Sequence, residues 1–230
     1  MIGIIGAMEE EVAALKEAMD IAETKEYASM VFCRGTMGGK DIVVVRSGIG
    51  KVNAAVCTQI LVDRFKVDRL INTGIAGSLD AQIDIGDIVI STEAVQHDMD
   101  ATIFGDPVGQ VPRMDVLAFP ADRILVEKAK EANRKVNPDI HTFTGRIASG
   151  DQFIASGEVK AKIVENFHAL CTEMEGAAIA HAAYLNKVSC VIIRAISDKA
   201  DNSAVMDYPE FERKAIAHNV RLVKELISML

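Results

Sequence analysis

The sequence predicts an α/β fold, and two observations carry that expectation. Short apolar, β-branched runs alternate along the chain with longer segments of helical period, the pattern of strands feeding helices. The chain has 230 residues, 50% hydrophobic and 25% charged, a globular mix with ample material for a sizeable core. Internal repeats, low-complexity tracts and Pro/Ser-rich linkers are absent from it, so residues 1–230 read as a single domain.

The first strand is Ile2–Ile5, a run of isoleucines broken by Gly3. Glu9–Met19 follows as a helix. At about 100° per residue its apolar arc holds Met8, Val12, Leu15 and Met19. Met30–Cys33 and the stronger run Asp41–Arg46 (DIVVVR) read as strands, Val52–Phe65 as a helix, and Arg69–Asn72 and Gly86–Ser91 as strands again. Then come a helix at Ala121–Val136, a strand at Thr142–Ala148, and helices at Gly157–Asn166 and Glu175–Leu185. The strand Ser189–Ile196 reads as buried throughout, and Pro209–Met229 closes the chain as a helix. The stretch from His97 to Phe119 breaks the alternation. It carries Gly105, Pro107, Gly109 and Pro112 with no sustained period, and loops of that length in compact domains are usually functional.

Charge narrows the partners. Lys plus Arg is 25 against 33 Asp plus Glu, a net charge of −8. With no basic cluster, neither nucleic acid nor an anionic membrane is expected as partner. The opening MIGIIGAMEEE has no basic segment before its apolar residues, and no apolar run approaches the roughly 18 residues of a membrane span. Cys33, Cys57, Cys171 and Cys190 lie far apart, without zinc or disulfide spacing. A reducing, cytoplasmic location is the expectation.

Ligands of open α/β sheets sit beyond the carboxyl ends of strands. Four such ends carry small or polar residues here: GAMEE, SGIGK at 47–51, NTGIAGS at 72–78 and ISD at 196–198. The glycines do not complete a nucleotide fingerprint. Gly48-Ile49-Gly50 lacks the third glycine of a dinucleotide loop, and Gly39-Lys40 is followed by Asp41 rather than Ser or Thr. His97-Asp98 and Asp100 superficially suggest a metal, but no further ligand cluster supports one, so no metal and no cofactor are expected.

Carboxylates remain. Glu9, Glu10 and Glu11 all complement the first helix's dipole, but Glu11 alone falls in the apolar arc. Glu9 shares its face with Lys16 and Asp20, and Glu10 with Glu17. A carboxylate on the inward face is costly without a partner or a task. Asp198 ends the buried strand VIIRAISD, and period 2 places Arg194, Ile196 and Asp198 on one side. That pair reads either as a buried ion pair or as an acid and a cation at the sheet edge. Glu175, in EMEG at a strand-to-helix turn, reads either as a dipole residue or as a ligand contact. Separated carboxylates without a metal or a Ser/Cys–His pair point to acid/base work on a glycosidic bond, by a hydrolase or a phosphorylase.

The motifs GIIGAMEEE, SGIGKVNAA, NTGIAGS, GDIV, HDMDATIFG, GQVP, SGDQF, EMEGAAIAH and RAISDKAD together resemble the bacterial 5′-methylthioadenosine/S-adenosylhomocysteine nucleosidase family, in order and over essentially the whole chain. The resemblance implies a mixed central β-sheet flanked by helices, the α/β/α sandwich of the nucleoside phosphorylase type, in a homodimer acting on small thio-nucleosides. It also implies roles. Glu11 corresponds to the base that activates water, and Asp198, supported by Ser197, to the acid that protonates adenine N7. Glu175 and the Met174 backbone correspond to the ribose clamp, and Arg194 to a partner of the water and of Glu175. Phe153 would stack on adenine and the Ile154 backbone read its edge. Met8, Ile49 and Tyr208 would line the ribose and alkylthio side, with Gly77 retained beside them. Ala101, Phe104 and Pro112 would reach the alkylthio pocket of the partner subunit. One position departs: Ile75 stands where the family commonly has Ser. A purine nucleoside phosphorylase, a futalosine-type hydrolase and a non-catalytic nucleoside binder are the competing readings.

Overall fold

The computed structural model describes residues 1–201 and 204–230, with the side chains of 205–210 outside the description. The alternation of runs becomes β1 (Ile2–Gly6), α1 (Glu9–Lys16), β2 (Asp20–Tyr27), β3 (Met30–Met37), β4 (Lys40–Arg46), α2 (Lys51–Phe65) and β5 (Arg69–Ser78). Then follow β6 (Ile88–Gln96), β7 (Phe119–Pro120), α3 (Arg123–Val136), β8 (Thr142–Ser149), α4 (Gly157–Phe167), β9 (Cys171–Glu173), α5 (Gly176–Asn186), β10 (Ser189–Asp198) and α6 (Ala204–Met229).

The strands form one mixed ten-stranded sheet in the order β10-β6-β8-β9-β5-β1-β4-β3-β2, with β7 on β6. An additional β10–β5 pairing closes one end on itself. The parallel pairs β1–β4, β1–β5 and β5–β10 make its centre. Antiparallel β3 and β2 extend the other edge.

Period 2 sends alternate residues of the central strands into two cores. Ile4, Val44, Ile71, Val191 and Ile193 face one side, where α1, α3 and α6 supply Val12, Leu15, Leu125, Ala129, Leu222 and Leu226. Ile5, Val43, Val45 and Leu70 face the other, against Cys57 and Leu61 of α2 and Ile179 and Ala183 of α5. The alternation of runs predicts the α/β class, and the mixed sheet flanked by helices is the architecture that the family resemblance implies.

Several boundaries differ for identifiable reasons. Asp122 accepts hydrogen bonds from the backbone of Ile124 and Leu125, so α3 starts at Arg123 rather than Ala121. The first helix ends at Lys16, short of Met19, because the chain turns into β2. β2 escapes prediction because DIAETKEY has no buried residue; it is an edge strand held through its ladder to β3. β9 is three residues long, too short for a period. β6 and β10 run on past the expected ends to Gln96 and Asp198.

Candidate active site

Each of the four strand ends singled out in the sequence delivers residues to one cavity of about 270 Å³. Ala7, Met8 and Glu11 come from the end of β1 and the start of α1, Ile49 from the turn into α2, and Ile75, Ala76 and Gly77 from β5. Ser197 and Asp198 come from the end of β10, and Thr172, Glu173, Met174 and Glu175 from β9 and the turn into α5. Phe153 lines it as well. Ile154 borders a small adjoining recess that shares Gly77, Phe153, Met174 and Asp198.

Helix phase decides which glutamate enters. Glu9 and Glu10 are exposed, whereas Glu11 is buried. Glu9 bonds Lys16 at 2.8 Å, the neighbour the helical period assigns it. Glu11 turns back under the helix start, where Oε2 accepts from Ala7 N at 2.7 Å and Met8 N at 3.0 Å. Its Oε1 accepts from Ile75 N at 3.2 Å. Burial pushes its pKa above the ordinary value, against the opposing pull of Arg194 and of these three N–H groups. The Ile75 contact is made by backbone, so a side chain without a hydroxyl leaves it intact.

Gly74 and Gly77 are demanded by close approach. A Cβ on Gly74 would lie 2.6 Å from Glu11 Oε1, and one on Gly77 2.7 Å from Asp198 Oδ1. Asp198 is buried, with Oδ2 accepting from Ser197 Oγ at 2.8 Å and Oδ1 from Ala200 N at 2.8 Å.

Arg194 is the main correction to the expectations. It lies outside the cavity lining, and its salt-bridge partner is Glu173 rather than Asp198 or Glu175. The ladder explains the separation from Asp198. Ile196 pairs with Ala76 and Asp198 with Gly77, so one extra residue is inserted in β10 and the period-2 face is broken. Glu173 is the residue the sequence reading passed over. It accepts from Arg194, from Ser149 Oγ, and from the backbone N–H groups of Glu175 (3.1 Å) and Gly176 (2.8 Å) at the start of α5. Its signal was the EMEG turn itself, where two carboxylates stand two residues apart. Burial works to raise Glu173, but Arg194 and these bonds hold it below the ordinary range. Glu175 is pushed up to about 8, first by burial and then by the charge of Glu173. Its Oε1 accepts from Gly50 N at 2.7 Å, tying the turn before α2 to the cavity.

The remaining expected residues are placed as follows. Met8 and Ile49 line the cavity, and Tyr208 lies outside the described residues. Ala101, Phe104 and Pro112 are not brought to this chain's own cavity. Ala101, just before a 3₁₀ turn at Thr102–Phe104, is buried rather than exposed, while Phe104 is 85% exposed. The carboxylates of the metal-like motif are engaged: Asp98 bonds Lys51 Nζ at 2.6 Å and Asp151 N at 2.9 Å, and Asp100 caps Thr102 at 2.9 Å.

If burial rather than helix position makes the base, Glu11→Gln abolishes turnover while thermal melting stays close to the unaltered protein. Glu9→Gln and Glu10→Gln keep turnover within a few-fold and shift melting slightly, as dipole contributions of roughly 0.3–1 kcal/mol dictate. A dead Glu9 or Glu10 variant beside an active Glu11 variant would refute the assignment.

The chain matches the phosphorylase superfamily over residues 1–228. The 5′-methylthioadenosine/S-adenosylhomocysteine nucleosidase of Staphylococcus aureus (strain MRSA252) is 42% identical over 231 residues, covering 100% of both chains. Among solved structures, the Neisseria meningitidis nucleosidase of the same name, in complex with methylthio-immucillin-A, aligns with a TM-score of 0.96 at 40% identity, covering 100% of this chain and 99% of that one. Futalosine hydrolase of Helicobacter pylori strain 26695 aligns with a TM-score of 0.94 at 35% identity, covering 100% and 97%.

Proposed function

This chain belongs to the 5′-methylthioadenosine/S-adenosylhomocysteine nucleosidases of the phosphorylase superfamily, and we propose that its cavity hydrolyses the N-glycosidic bond of those nucleosides with water as nucleophile. The products are adenine and methylthioribose or S-ribosylhomocysteine. The observation that carries water rather than phosphate is the charge of the lining. Glu11, Glu173, Glu175 and Asp198 face the cavity, and among the described residues no Lys or Arg does. A phosphate dianion would find no cation there to offset its desolvation, whereas a neutral water needs none. A non-catalytic binder would have no use for several buried carboxylates with different proton affinities.

Each residue then has a task. Breaking the C1′–N9 bond builds positive charge on the ribose and negative charge on the purine. Asp198 delivers a proton to N7 so that adenine leaves neutral, with Ser197 and Ala200 fixing its orientation. Glu11 takes a proton from the water attacking C1′. Glu175 and the Met174 backbone hold the ribose hydroxyls. Phe153, half exposed at the mouth, offers a face to the adenine, and the Ile154 backbone its edge contact. Met8 and Ile49 line the ribose side, with Tyr208 assigned there by resemblance. Arg194 orients Glu173 by direct bonding and acts on Glu11 and Glu175 by its charge. The same geometry accommodates 5′-deoxyadenosine, which lacks only the thioether substituent. No cofactor enters these steps, and four buried free cysteines suit a reducing cytoplasm. No helix among the described residues is long and apolar enough to cross a membrane.

Ile103 and Phe104, 87% and 85% exposed on the irregular 97–119 segment, are large apolar side chains in need of cover. The reading assigns that cover to a second copy of the chain, whose alkylthio pocket Phe104 and Pro112 complete. Light scattering should show a homodimer, and Phe104→Ser should raise KM for methylthioadenosine without lowering the melting temperature of the subunit fold. A monomer turning over at full rate would contradict it.

The direct test incubates the protein with methylthioadenosine, S-adenosylhomocysteine, futalosine and inosine, with and without phosphate. Free adenine should appear from the first two at a rate indifferent to phosphate; phosphate dependence would make it a phosphorylase, and preference for futalosine would favour the hydrolase reading of the Helicobacter pylori neighbour. Asp198→Asn should bind methylthioadenosine and lose about 10²–10⁴-fold in kcat, the usual worth of general acid catalysis. Near-normal turnover would place the acid elsewhere.

A further inference from the structure

The peptide that holds Glu11 is itself held from behind. Asn219, buried in the middle of α6 and outside the cavity lining, donates from Nδ2 to Gly74 O at 2.7 Å and reaches Ile193 O at 3.3 Å. Gly74 C=O and Ile75 N–H belong to one rigid peptide plane, and that N–H donates to Glu11 Oε1. A continuous chain of hydrogen bonds therefore runs from the α6 amide, through one peptide group, to the carboxylate. Donation into the carbonyl polarises the peptide and strengthens its N–H as a donor. The second contact converges on the same place, because Ile193 O also accepts from Arg194 NH1 at 3.1 Å.

A further feature points to the donor rather than to packing. Asn219 Oδ1 is buried without a hydrogen-bond partner among the described residues, and such a group costs stability. Both neighbours it addresses are carbonyl oxygens, so the amide must present its NH2 to them and leave its oxygen unsatisfied. An apolar residue of similar size would avoid that cost. We propose that Asn219 is a positioning residue of the hydrolytic reaction, orienting the Gly74–Ile75 peptide so that its N–H holds Glu11 in place as the base.

The inference rests on the reading of Glu11 as the base in nucleoside hydrolysis. The other charged groups that act on Glu11 are Arg194 of β10 and Glu175 at the start of α5, with Glu173 neutralising Arg194. None is bonded directly by Asn219, which meets Arg194 only through their shared acceptor Ile193 O.

The test compares the unaltered enzyme with Asn219→Ala and Asn219→Leu, measuring adenine release from methylthioadenosine across pH, well below each melting temperature. Leu refills the volume without a donor. Both variants should lose about tenfold in kcat, the scale of one hydrogen bond, with KM within about threefold. The acidic limb of their kcat profiles should move to higher pH, because Glu11 loses part of the bond that favours its charged form. If Leu restores what Ala loses, or if both keep the unaltered pH profile, Asn219 is a packing residue and the proposal fails. Should Leu not fold, the pH profile of Ala alone decides in the same way. Absence of adenine release by the unaltered enzyme would instead overturn the hydrolase reading on which the inference stands.

Discussion

The structure depends on where one buried cation spends its charge. Arg194, 2% exposed in the middle of β10, is clamped by Glu173 and by Asn72 Oδ1, the latter at 2.5 Å. Asn72 in turn donates to Ile5 O, which ties β1, β5 and β10 together. Glu173 carries the connection onward. It receives Ser149 from β8 and the first N–H groups of α5, and Ser149 Oγ accepts from Ala177 N as well. Removing one partner of such a pair leaves an uncompensated buried charge, costing about 3–5 kcal/mol. The ion pair is therefore both a junction of five strands and a helix, and a constraint on the chemistry above it.

That constraint sets the character of the cavity. Because Arg194 is committed to Glu173, Glu11 and Glu175 are buried near a guanidinium that does not bond them directly. Burial wins over its attraction in both, and both are raised. Among the described residues the lining carries carboxyl groups and no Lys or Arg. Such a site disfavours an anionic nucleophile and favours a substrate that becomes cationic, which is what a ribose does as its purine departs. The same network explains how Ile75 is accommodated. Glu11 is gripped by main-chain N–H groups from Ala7, Met8 and Ile75, so the side chain at 75 is free to be apolar.

Much of this was legible in the sequence, and the exceptions share a cause. The apolar arc of the first helix separates Glu11 from Glu9 and Glu10 because a 3.6 period is a local property. The convergence of four strand ends follows from parallel connectivity, which is also local in pattern. The pairing of Arg194 was not legible. A β-bulge between Ile196 and Asp198 resets the face of the strand, and bulges leave no mark in hydrophobic alternation. Glu173 escaped because its partners, Arg194 and Ser149, come from distant strands. β2 escaped because an exposed edge has no core face to read. The roles of Phe153 and Ile154 and the Met174 backbone came through resemblance alone, since neither spacing nor period distinguishes a stacking phenylalanine from a surface one.

The central claim is that burial beside an already satisfied Arg194 raises the proton affinity of a carboxylate that must be ionised to act. The pH dependence of kcat/KM for methylthioadenosine in the unaltered enzyme tests it most directly, because that profile reports the free enzyme's essential groups. A base with a raised pKa is protonated, and so lost, at a higher pH than an ordinary glutamate. The account predicts an acidic limb bending clearly above the ordinary glutamate value of about 4.3. A profile that stays flat down through that value would contradict it.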